Sequence, residues 1–264
     1  MVTSDFDKYE YYKKSVQTPD VEAQFLVKTF KDIRGTDVKT CREDFCGTFA
    51  VSCELAKLDP QLNVYGVDFD NEPIIYGNET NLSLLSKNEK ARVHISNGDV
   101  LESGLPKVEL AFALNFSYFI FKERALLKQY FQNVYNSLEN NGVFLMDCFG
   151  GSECYEANEE ETDHEDDGFS YFWDQDSYNP ITNEAQFYIH FQRDGETKRE
   201  KVFSYDWRLW SIPELRDILT DVGFKKTTIY WEGTDENGEG DGVYTPTEQG
   251  EDCESWVAYI IASK

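Results

Sequence analysis

Basic residues are scarce in this sequence of 264 residues. Lysine and arginine number 25 against 50 aspartates and glutamates, which gives a formal net charge of −25 at pH 7. Because nucleic-acid binders place clustered basic side chains against phosphates, this charge argues against a nucleic-acid partner. The same negative field opposes docking on an anionic membrane. Small or cationic partners fit such a chain better.

Long apolar runs and metal-binding cysteine spacings are also missing. No apolar stretch approaches the roughly 18 residues that a membrane-spanning helix needs, and the first residues lack the basic and apolar regions of a signal peptide. The 6 cysteines include no C-x-x-C pair, and their spacings match no zinc pattern. The sequence therefore predicts no metal site, no membrane span and a reducing, cytoplasmic location.

The first half of the sequence alternates between apolar strands and amphipathic helices. A helix is predicted to begin at Pro19 and to end at Gly35. Short strand-like runs then alternate with helical segments as far as Phe149. Strands separated by helices of about 10–15 residues are typical of β-α-β units and a parallel sheet.

The pattern changes after Gly151. Residues 153–167 carry nine carboxylates and no lysine or arginine, and we expect a solvated loop there. Three segments that alternate with period two follow, which predicts a three-stranded antiparallel insertion. A capped helix at 211–222, a strand, a glycine-rich loop at 232–252 and a last strand complete the chain.

A glycine turn follows the first predicted strand. The segment Arg42-Glu43-Asp44-Phe45-Cys46-Gly47-Thr48 leads into a helix, and Asp68 ends the second strand 21 residues after Gly47. Glycine lets the backbone approach a ligand, and the next helix offers free N–H groups. A carboxylate at the end of the second strand accepts hydrogen bonds from ribose hydroxyls. This arrangement predicts a nucleoside cofactor, either a nicotinamide nucleotide or S-adenosylmethionine.

The order of motifs resembles that of class I S-adenosylmethionine-dependent methyltransferases. Aligned on Gly47, Glu43 falls on the acidic position of the family, and Phe45 and Phe49 stand where the family has its first and third glycines. Later motifs of the family resemble, in order, Gly66–Asp70, Asn97–Val100, Leu114–Tyr118 and Leu138–Phe144. The chain also resembles a narrower group of methyltransferases, from about Tyr9 to the end, through Arg42–Thr48, Asn115–Phe119, Tyr205–Trp210 and Tyr230–Asp235.

The resemblance implies an α/β fold with a Rossmann-like, seven-stranded, mostly parallel sheet flanked by helices, and with the antiparallel insertion after the fifth strand. We divide the chain into an N-terminal lid and helix (1–35), a cofactor-binding core (36–151), an acidic loop and β insertion on the acceptor side (152–210), and the C-terminal part of the core sheet (211–264). The resemblance implies that S-adenosylmethionine is held by Arg42, Glu43, Cys46, Gly47, Thr48, Asp68, Phe69, Asp99, Val100, Asn115 and Phe116. Among them, Asp68 would hold the ribose, and Phe69 and Asp99 would contact the adenine.

Methyl transfer from a sulfonium is an in-line displacement that depends on alignment and on the exclusion of water. Tyr118 is the candidate base or orienting group, and Arg208 is a candidate to hold an acceptor carboxylate. Each candidate also has a structural alternative: docking of the N-terminus, packing inside the insertion, or pairing with a carboxylate. The predicted acceptor contacts are Tyr11, Tyr12, Gln17, Tyr118, Trp207 and Arg208.

The sequence therefore predicts an S-adenosylmethionine-dependent methyltransferase that acts on an oxygen or nitrogen of a small molecule. Two alternatives stay open. One is a protein or peptide methyltransferase whose acidic rim attracts a basic acceptor, and the other is a catalytically silent protein that binds S-adenosylmethionine. The acceptor, the methylated atom and the oligomeric state are left open by the sequence.

Overall fold

The structure is a computed structural model that describes residues 6–235 and 240–264. The first five residues of the predicted lid, and residues 236–239 of the predicted loop at 232–252, lie outside the described residues. The α-helices are α1 (Lys8–Val16), α2 (Pro19–Arg34), α3 (Ala50–Leu58), α4 (Asn71–Glu79), α5 (Lys87–Lys90), α6 (Arg124–Ser137) and α7 (Ile212–Val222). The strands are β1 (Thr40–Asp44), β2 (Asn63–Asp68), β3 (Val93–Asn97), β4 (Val108–Ala113), β5 (Leu138–Gly150), β6 (Asn158–His164), β7 (Phe169–Asn179), β8 (Glu184–Arg193), β9 (Arg199–Arg208), β10 (Lys226–Thr234), β11 (Gly240–Thr247) and β12 (Trp256–Ser263).

The main sheet has eight strands in the order β11-β10-β12-β5-β4-β1-β2-β3. Strands β1 to β5 pair in parallel, and β12, β10 and β11 add antiparallel pairs beside β5. The predicted α/β fold with a mostly parallel sheet is confirmed. The count of seven strands is corrected to eight, because β11 forms an edge strand within the segment that was expected to be a loop.

The second sheet is antiparallel and has the order β6-β7-β8-β9. It has four strands rather than the three predicted, because β6 forms within the predicted acidic loop. Phe187 of β8 and Trp207 of β9 pack into the same core as the main sheet. The insertion therefore lies against the body of the molecule.

Strand β4 shows why the main sheet is covered on both faces. Leu110 and Phe112 contribute to the core that includes α2 and α3, whereas Ala111 and Ala113 contribute to the core that includes α6 and α7. A strand buried on both faces is typical of a parallel sheet between helix layers. Because β1 and β4 pair in parallel, their carboxyl ends lie side by side at the same edge of the sheet. No helix in the described part of the chain is long and apolar enough to cross a membrane.

Candidate functional site

A cavity of about 200 Å³ lies at the carboxyl ends of β1 and β4. Open α/β sheets bind ligands at this edge. The loops after β1 and β4 and the start of α4 form one side of the cavity, and α1 and β9 form the other. The lining residues are Tyr9, Tyr12, Gln17, Glu43, Phe45, Cys46, Gly47, Thr48, Asp70, Pro73, Leu114, Asn115, Ser117, Phe203 and Tyr205.

The loop after β1 keeps a left-handed backbone at three positions. Gly47 has a φ of 52°, and Phe45 and Phe49 have φ values of 59° and 46°. Non-glycine residues rarely adopt this region, and each costs about 1–3 kcal/mol unless its surroundings hold it. Phe49 is fully buried and the ring of Phe45 packs 5.3 Å from that of Tyr130. The loop thus keeps the backbone shape of a glycine-rich turn while its phenylalanine side chains anchor it in the core.

Asp68 fixes this loop from the end of β2. Its Oδ2 accepts a hydrogen bond from the backbone N–H of Gly47 at 2.7 Å, and its Oδ1 accepts one from the N–H of Asp70 at 2.8 Å. Burial raises the pKa of the Asp68 carboxyl above its usual range. A carboxylate oxygen has two lone pairs, so each retains acceptor capacity for a further donor.

Glu43 and its neighbours on β1 face opposite sides of the sheet. Glu43 lines the cavity, and its Oε2 accepts hydrogen bonds from the N–H and the hydroxyl of Ser52 on α3. Burial raises the pKa of Glu43 to about 8. Arg42 instead lies in the core and pairs with Asp44, with 2.6 Å between Nε and Oδ1. The predicted cofactor contact of Arg42 is therefore corrected to a buried ion pair.

The loop after β4 is held by a residue that the sequence analysis missed. Asn115 and Phe116 have φ values of 57° and 55°, and their backbone N–H groups donate to the Asp147 carboxylate at 2.6 and 2.9 Å. Asp147 is 6% exposed, and burial raises its pKa to about 7. Asn115 lines the cavity, whereas the ring of Phe116 packs 4.6 Å from that of Phe149. A lone acid within the apolar run of β5 was the available signal for Asp147.

The acceptor side of the cavity is aromatic. Of the predicted contacts, Tyr12 and Gln17 line it, and Tyr11 does not, because its ring packs against Phe169 at 4.6 Å. Tyr12 and Tyr205 both line the cavity, and burial raises the pKa of both phenols. Among the aromatic residues of α1 and β9 that line the cavity, the sequence analysis missed Tyr9, Phe203 and Tyr205. The period-two pattern leading back from Trp207 pointed to the last two.

Tyr118 and Trp207 belong to the core rather than to the cavity. The Tyr118 side chain is fully buried, and its hydroxyl donates to the carbonyl oxygen of Asp147 at 2.6 Å. Trp207 is buried, with its ring 5.5 Å from that of Phe187. The predicted role of Tyr118 as a base, and that of Trp207 as an acceptor contact, are corrected to packing roles.

Arg208 also lies away from the cavity. Its guanidinium donates to the carbonyl oxygen of Lys122 at 3.1 Å and pairs with Glu214 at 3.2 Å. The same group lies 3.8 Å from the ring centre of Trp210. These contacts fasten β9 to the start of α7, and they correct the prediction that Arg208 holds an acceptor carboxylate.

The residues predicted to contact adenine form an open surface beside the cavity. Phe69 is 80% exposed, and Asp99 accepts a hydrogen bond from the N–H of Leu101 at 2.8 Å. Val100 is buried in the core. The ends of β2 and β3 are joined by the Asn97 side chain, which donates to the carbonyl oxygens of Asp68 and Phe69.

The second sheet contains a group of possible metal ligands, Glu159, Asp174 and His190. The backbone N–H of Lys201 donates to Nδ1 of His190 at 2.7 Å, so a neutral ring carries its proton on Nε2. That Nε2 lies 3.0 Å from Asp174, and Lys198 pairs with Glu159 at 2.6 Å. The group is thus arranged as a hydrogen-bonded network in which Nε2 is a donor.

Comparison with known proteins shows the class of fold. The chain matches no protein-family model and no curated protein. Solved structures of S-adenosylmethionine-dependent methyltransferases, however, match it over nearly the whole length. At the identities found, this similarity establishes the fold of these methyltransferases.

Three of the matching structures illustrate the similarity. A methyltransferase from Clostridium acetobutylicum has 17% identity and a TM-score of 0.70, and the match covers 97% of this chain and 96% of that one. CalS10, an amino pentose methyltransferase from Micromonospora echinaspora solved with S-adenosylmethionine, has 15% identity and a TM-score of 0.68, with coverage of 100% and 99%. DesVI from Streptomyces venezuelae has 14% identity and a TM-score of 0.69, with coverage of 98% and 99%.

Proposed function

We propose that this chain is an S-adenosylmethionine-dependent methyltransferase that methylates an oxygen or nitrogen of a small molecule. The observation that carries the proposal is the cavity between the loop of Gly47 and the aromatic residues of α1 and β9. It lies at the ligand-binding edge of a sheet with the methyltransferase fold.

The residues around the cavity fit the chemistry of S-adenosylmethionine. Glu43 offers a negative charge to the sulfonium cofactor, and the loop of Gly47 offers a close backbone approach. Asp68 has acceptor capacity for ribose hydroxyls, and the exposed ring of Phe69 offers a stacking face for adenine. Asp99 beside them offers an acceptor for the adenine amine. The cofactor supplies an activated methyl group when bound.

The remaining lining residues support alignment of the acceptor. Tyr9, Tyr12, Phe203 and Tyr205 cover the cavity and exclude water from the reacting atoms. Because the pKa values of Tyr12 and Tyr205 are raised, both phenols stay protonated at neutral pH, and a phenol hydroxyl at this wall orients an acceptor as a hydrogen-bond donor. The carboxylates that line the cavity, Glu43 and Asp70, are the groups placed to take up a proton.

The proposal of a small acceptor rests on the confined cavity and on the neighbours. CalS10 is described as an amino pentose methyltransferase, and a further neighbour, KedS8, as a sugar N-methyltransferase. Because the surface is acidic, a basic peptide remains the alternative acceptor. A catalytically silent protein that binds S-adenosylmethionine remains the second alternative. The cytoplasmic location and the lack of a nucleic-acid partner stay predictions from composition.

The cofactor assignment is tested by calorimetric titration with S-adenosylmethionine. Asp68→Ala is expected to weaken binding by about 1–3 kcal/mol, the scale of a lost buried hydrogen-bonding group. Asp176→Ala, at an exposed position of β7, is the matched control and should bind as the wild type does. Equal binding by all three proteins would show that Asp68 does not hold the cofactor, and an absence of binding by the wild type would refute the assignment.

The acceptor class is tested with isotopically labelled cofactor and cell extracts. Label that appears in a small molecule supports the proposal, and label that appears only in polypeptide favours the peptide alternative. Tight binding with no transfer to any component would favour the silent binding protein.

A further inference from the structure

Buried carboxylates of this chain differ in whether they have a cationic partner. Asp44 is buried and pairs with the equally buried Arg42. Glu43 and Asp147 are each 6% exposed, yet neither forms an ion pair with any described lysine or arginine. A buried charge without a counter-ion is strongly unfavourable, so such groups either take up a proton or meet a cation from a ligand.

Glu43 has an acceptor atom free for such a ligand. Both hydrogen bonds from Ser52 end on its Oε2. Its Oε1 has no hydrogen-bond partner within the described residues, although the side chain lines the cavity. A largely buried carboxylate with one uncommitted oxygen at a cavity wall is suited to a cation.

Glu22, in the first turn of α2, extends this group of carboxylates. Its Oε1 accepts a long hydrogen bond from the N–H of Thr18 at 3.4 Å, and its Oε2 is buried with no partner among the described residues. Its negative charge acts on both Glu43 and Asp147. We call Glu22, Glu43 and Asp147 the carboxylate cluster.

The surroundings of the carboxylate cluster contain acids, phenols and thiols. Within the described residues, no lysine or arginine forms an ion pair with Glu22, Glu43 or Asp147. Burial raises the pKa of Glu43 to about 8 and those of Glu22 and Asp147 to about 7, and the charge of Glu22 contributes to the raised values of Glu43 and Asp147. The other titratable groups facing it are Tyr12 of α1, Asp20 of α2, Cys41 of β1, Cys46 of the next loop, Cys53 of α3, Asp68 of β2, Tyr118, Cys148 of β5, Tyr244 of β11 and Tyr259 of β12.

We propose that binding of the cationic cofactor displaces protons from the carboxylate cluster, so that the affinity of the cavity for S-adenosylmethionine rises with pH. The inference rests on the proposed function. The positive charge of the ligand takes the place of the missing counter-ion. Each cluster carboxyl that ionises gives its proton to the buffer, and no covalent bond forms between ligand and protein. Ligand binding and proton release are then reciprocal.

The test is calorimetric titration of the wild-type protein with S-adenosylmethionine at pH 7.0 in buffers of different ionisation enthalpy. The dependence of the observed heat on the buffer gives the number of protons released, which we expect to be about one. Between pH 6.0 and 7.5 the affinity should rise by up to about thirtyfold, the limit for one proton over this interval. This window ends below the pKa of about 7.7–8.0 of an α-amino group, so that most ligand molecules keep their amino proton across it.

Glu22→Gln identifies the source of the protons. The amide keeps the shape of the side chain and cannot titrate, so proton release and the pH dependence of affinity should both fall. Asp176→Asn, at an exposed position of β7 and outside the groups that face the cluster, is the control and should leave both unchanged. Circular dichroism checks folding, and the wild-type buffer series decides the question if Glu22→Gln does not fold.

The outcomes separate this inference from the proposed function. Binding with no proton release, or with affinity that is flat across the pH window, would overturn the inference and leave the cofactor assignment standing. Proton release unchanged by Glu22→Gln would remove Glu22 from the cluster and overturn the inference as stated. A complete absence of binding at every pH would overturn both.

Discussion

Asp147 acts on the cavity through the backbone of the loop that it holds. Its two carboxylate oxygens receive the N–H groups of Asn115 and Phe116, and both of these residues have positive φ values. Such conformations persist only where the surroundings enforce them. Because Asn115 lines the cavity, the shape of that wall depends on a residue that does not itself line it.

Replacing Asp147 by asparagine should therefore disturb both stability and binding. An amide has a single acceptor oxygen, and its NH₂ group would face one of the two backbone N–H groups. We expect a loss of about 1–3 kcal/mol in the free energy of unfolding at pH 8, from urea denaturation, together with weaker cofactor binding. Asp176→Asn on the exposed face of β7 is the control. Unchanged stability and binding in Asp147→Asn would show that the loop needs no such support.

Sequence motifs located the cavity loops better than they located individual side chains. Gly47, Glu43 and Asn115 line the cavity as the resemblance implied. Arg42 does not, since neighbouring residues of a strand point to opposite faces. Tyr118 lies in the 3-10 helix Ser117–Ile120, and the sequence of so short a turn does not determine which way a side chain points.

At the scale of elements, the two strands that the sequence analysis missed are edge strands. Six of the seven residues of β6 are exposed, and β11 is almost as open to solvent. Strand prediction depends on one buried face producing a period-two pattern, and these strands bury neither face. Their pairing with β7 and β10 rests on backbone hydrogen bonds, which the composition does not reveal.

Helix α1 bridges α4 of the main domain and β9 of the second sheet. The Asp7 side chain caps α1 and accepts a hydrogen bond from the hydroxyl of Tyr76 on α4 at 2.9 Å. Lys8 pairs with Glu72 of α4 at 2.6 Å. The ring of Tyr12 packs 5.0 Å from that of Phe203 on β9. The helix has no fully buried residue, so these contacts at its two sides hold it in place.

Tyr76→Phe should loosen α1 without damaging the core. The change removes one hydrogen bond to the capping carboxylate, and the cap itself is worth about 0.5–2 kcal/mol. We expect faster hydrogen exchange within Lys8–Val16 and faster dissociation of the cofactor, measured by mass spectrometry and stopped flow. Tyr135→Phe is the control, because no described residue forms a hydrogen bond with the Tyr135 hydroxyl. Equal exchange in α1 for all three proteins would show that Tyr76 does not hold the helix.

At the scale of the whole molecule, two kinds of negative charge have to be distinguished. Most of the 50 acidic residues are exposed to solvent and lie outside the carboxylate cluster. Exposed carboxylates repel one another, and salt screens this repulsion. The carboxylate cluster instead still titrates between pH 6 and 8.5, since its pKa values are raised to about 7 and 8.

The ligand-free protein should therefore become less stable as the pH rises from 6.0 to 8.5. A carboxyl whose pKa is raised by folding still holds its proton in the folded protein at pH values where the unfolded chain has lost it. Its contribution to stability is complete below the unfolded-state pKa and is lost as the pH rises through the folded-state pKa. We expect the free energy of unfolding to fall by about 2–5 kcal/mol across this interval, measured by urea denaturation at constant ionic strength. Glu22→Gln should reduce the fall by about 1 kcal/mol, whereas Asp176→Asn, at an exposed position of β7, should not change it. Stability that is constant or increases with pH would show that the carboxylate cluster is already ionised in the folded protein at pH 6.0.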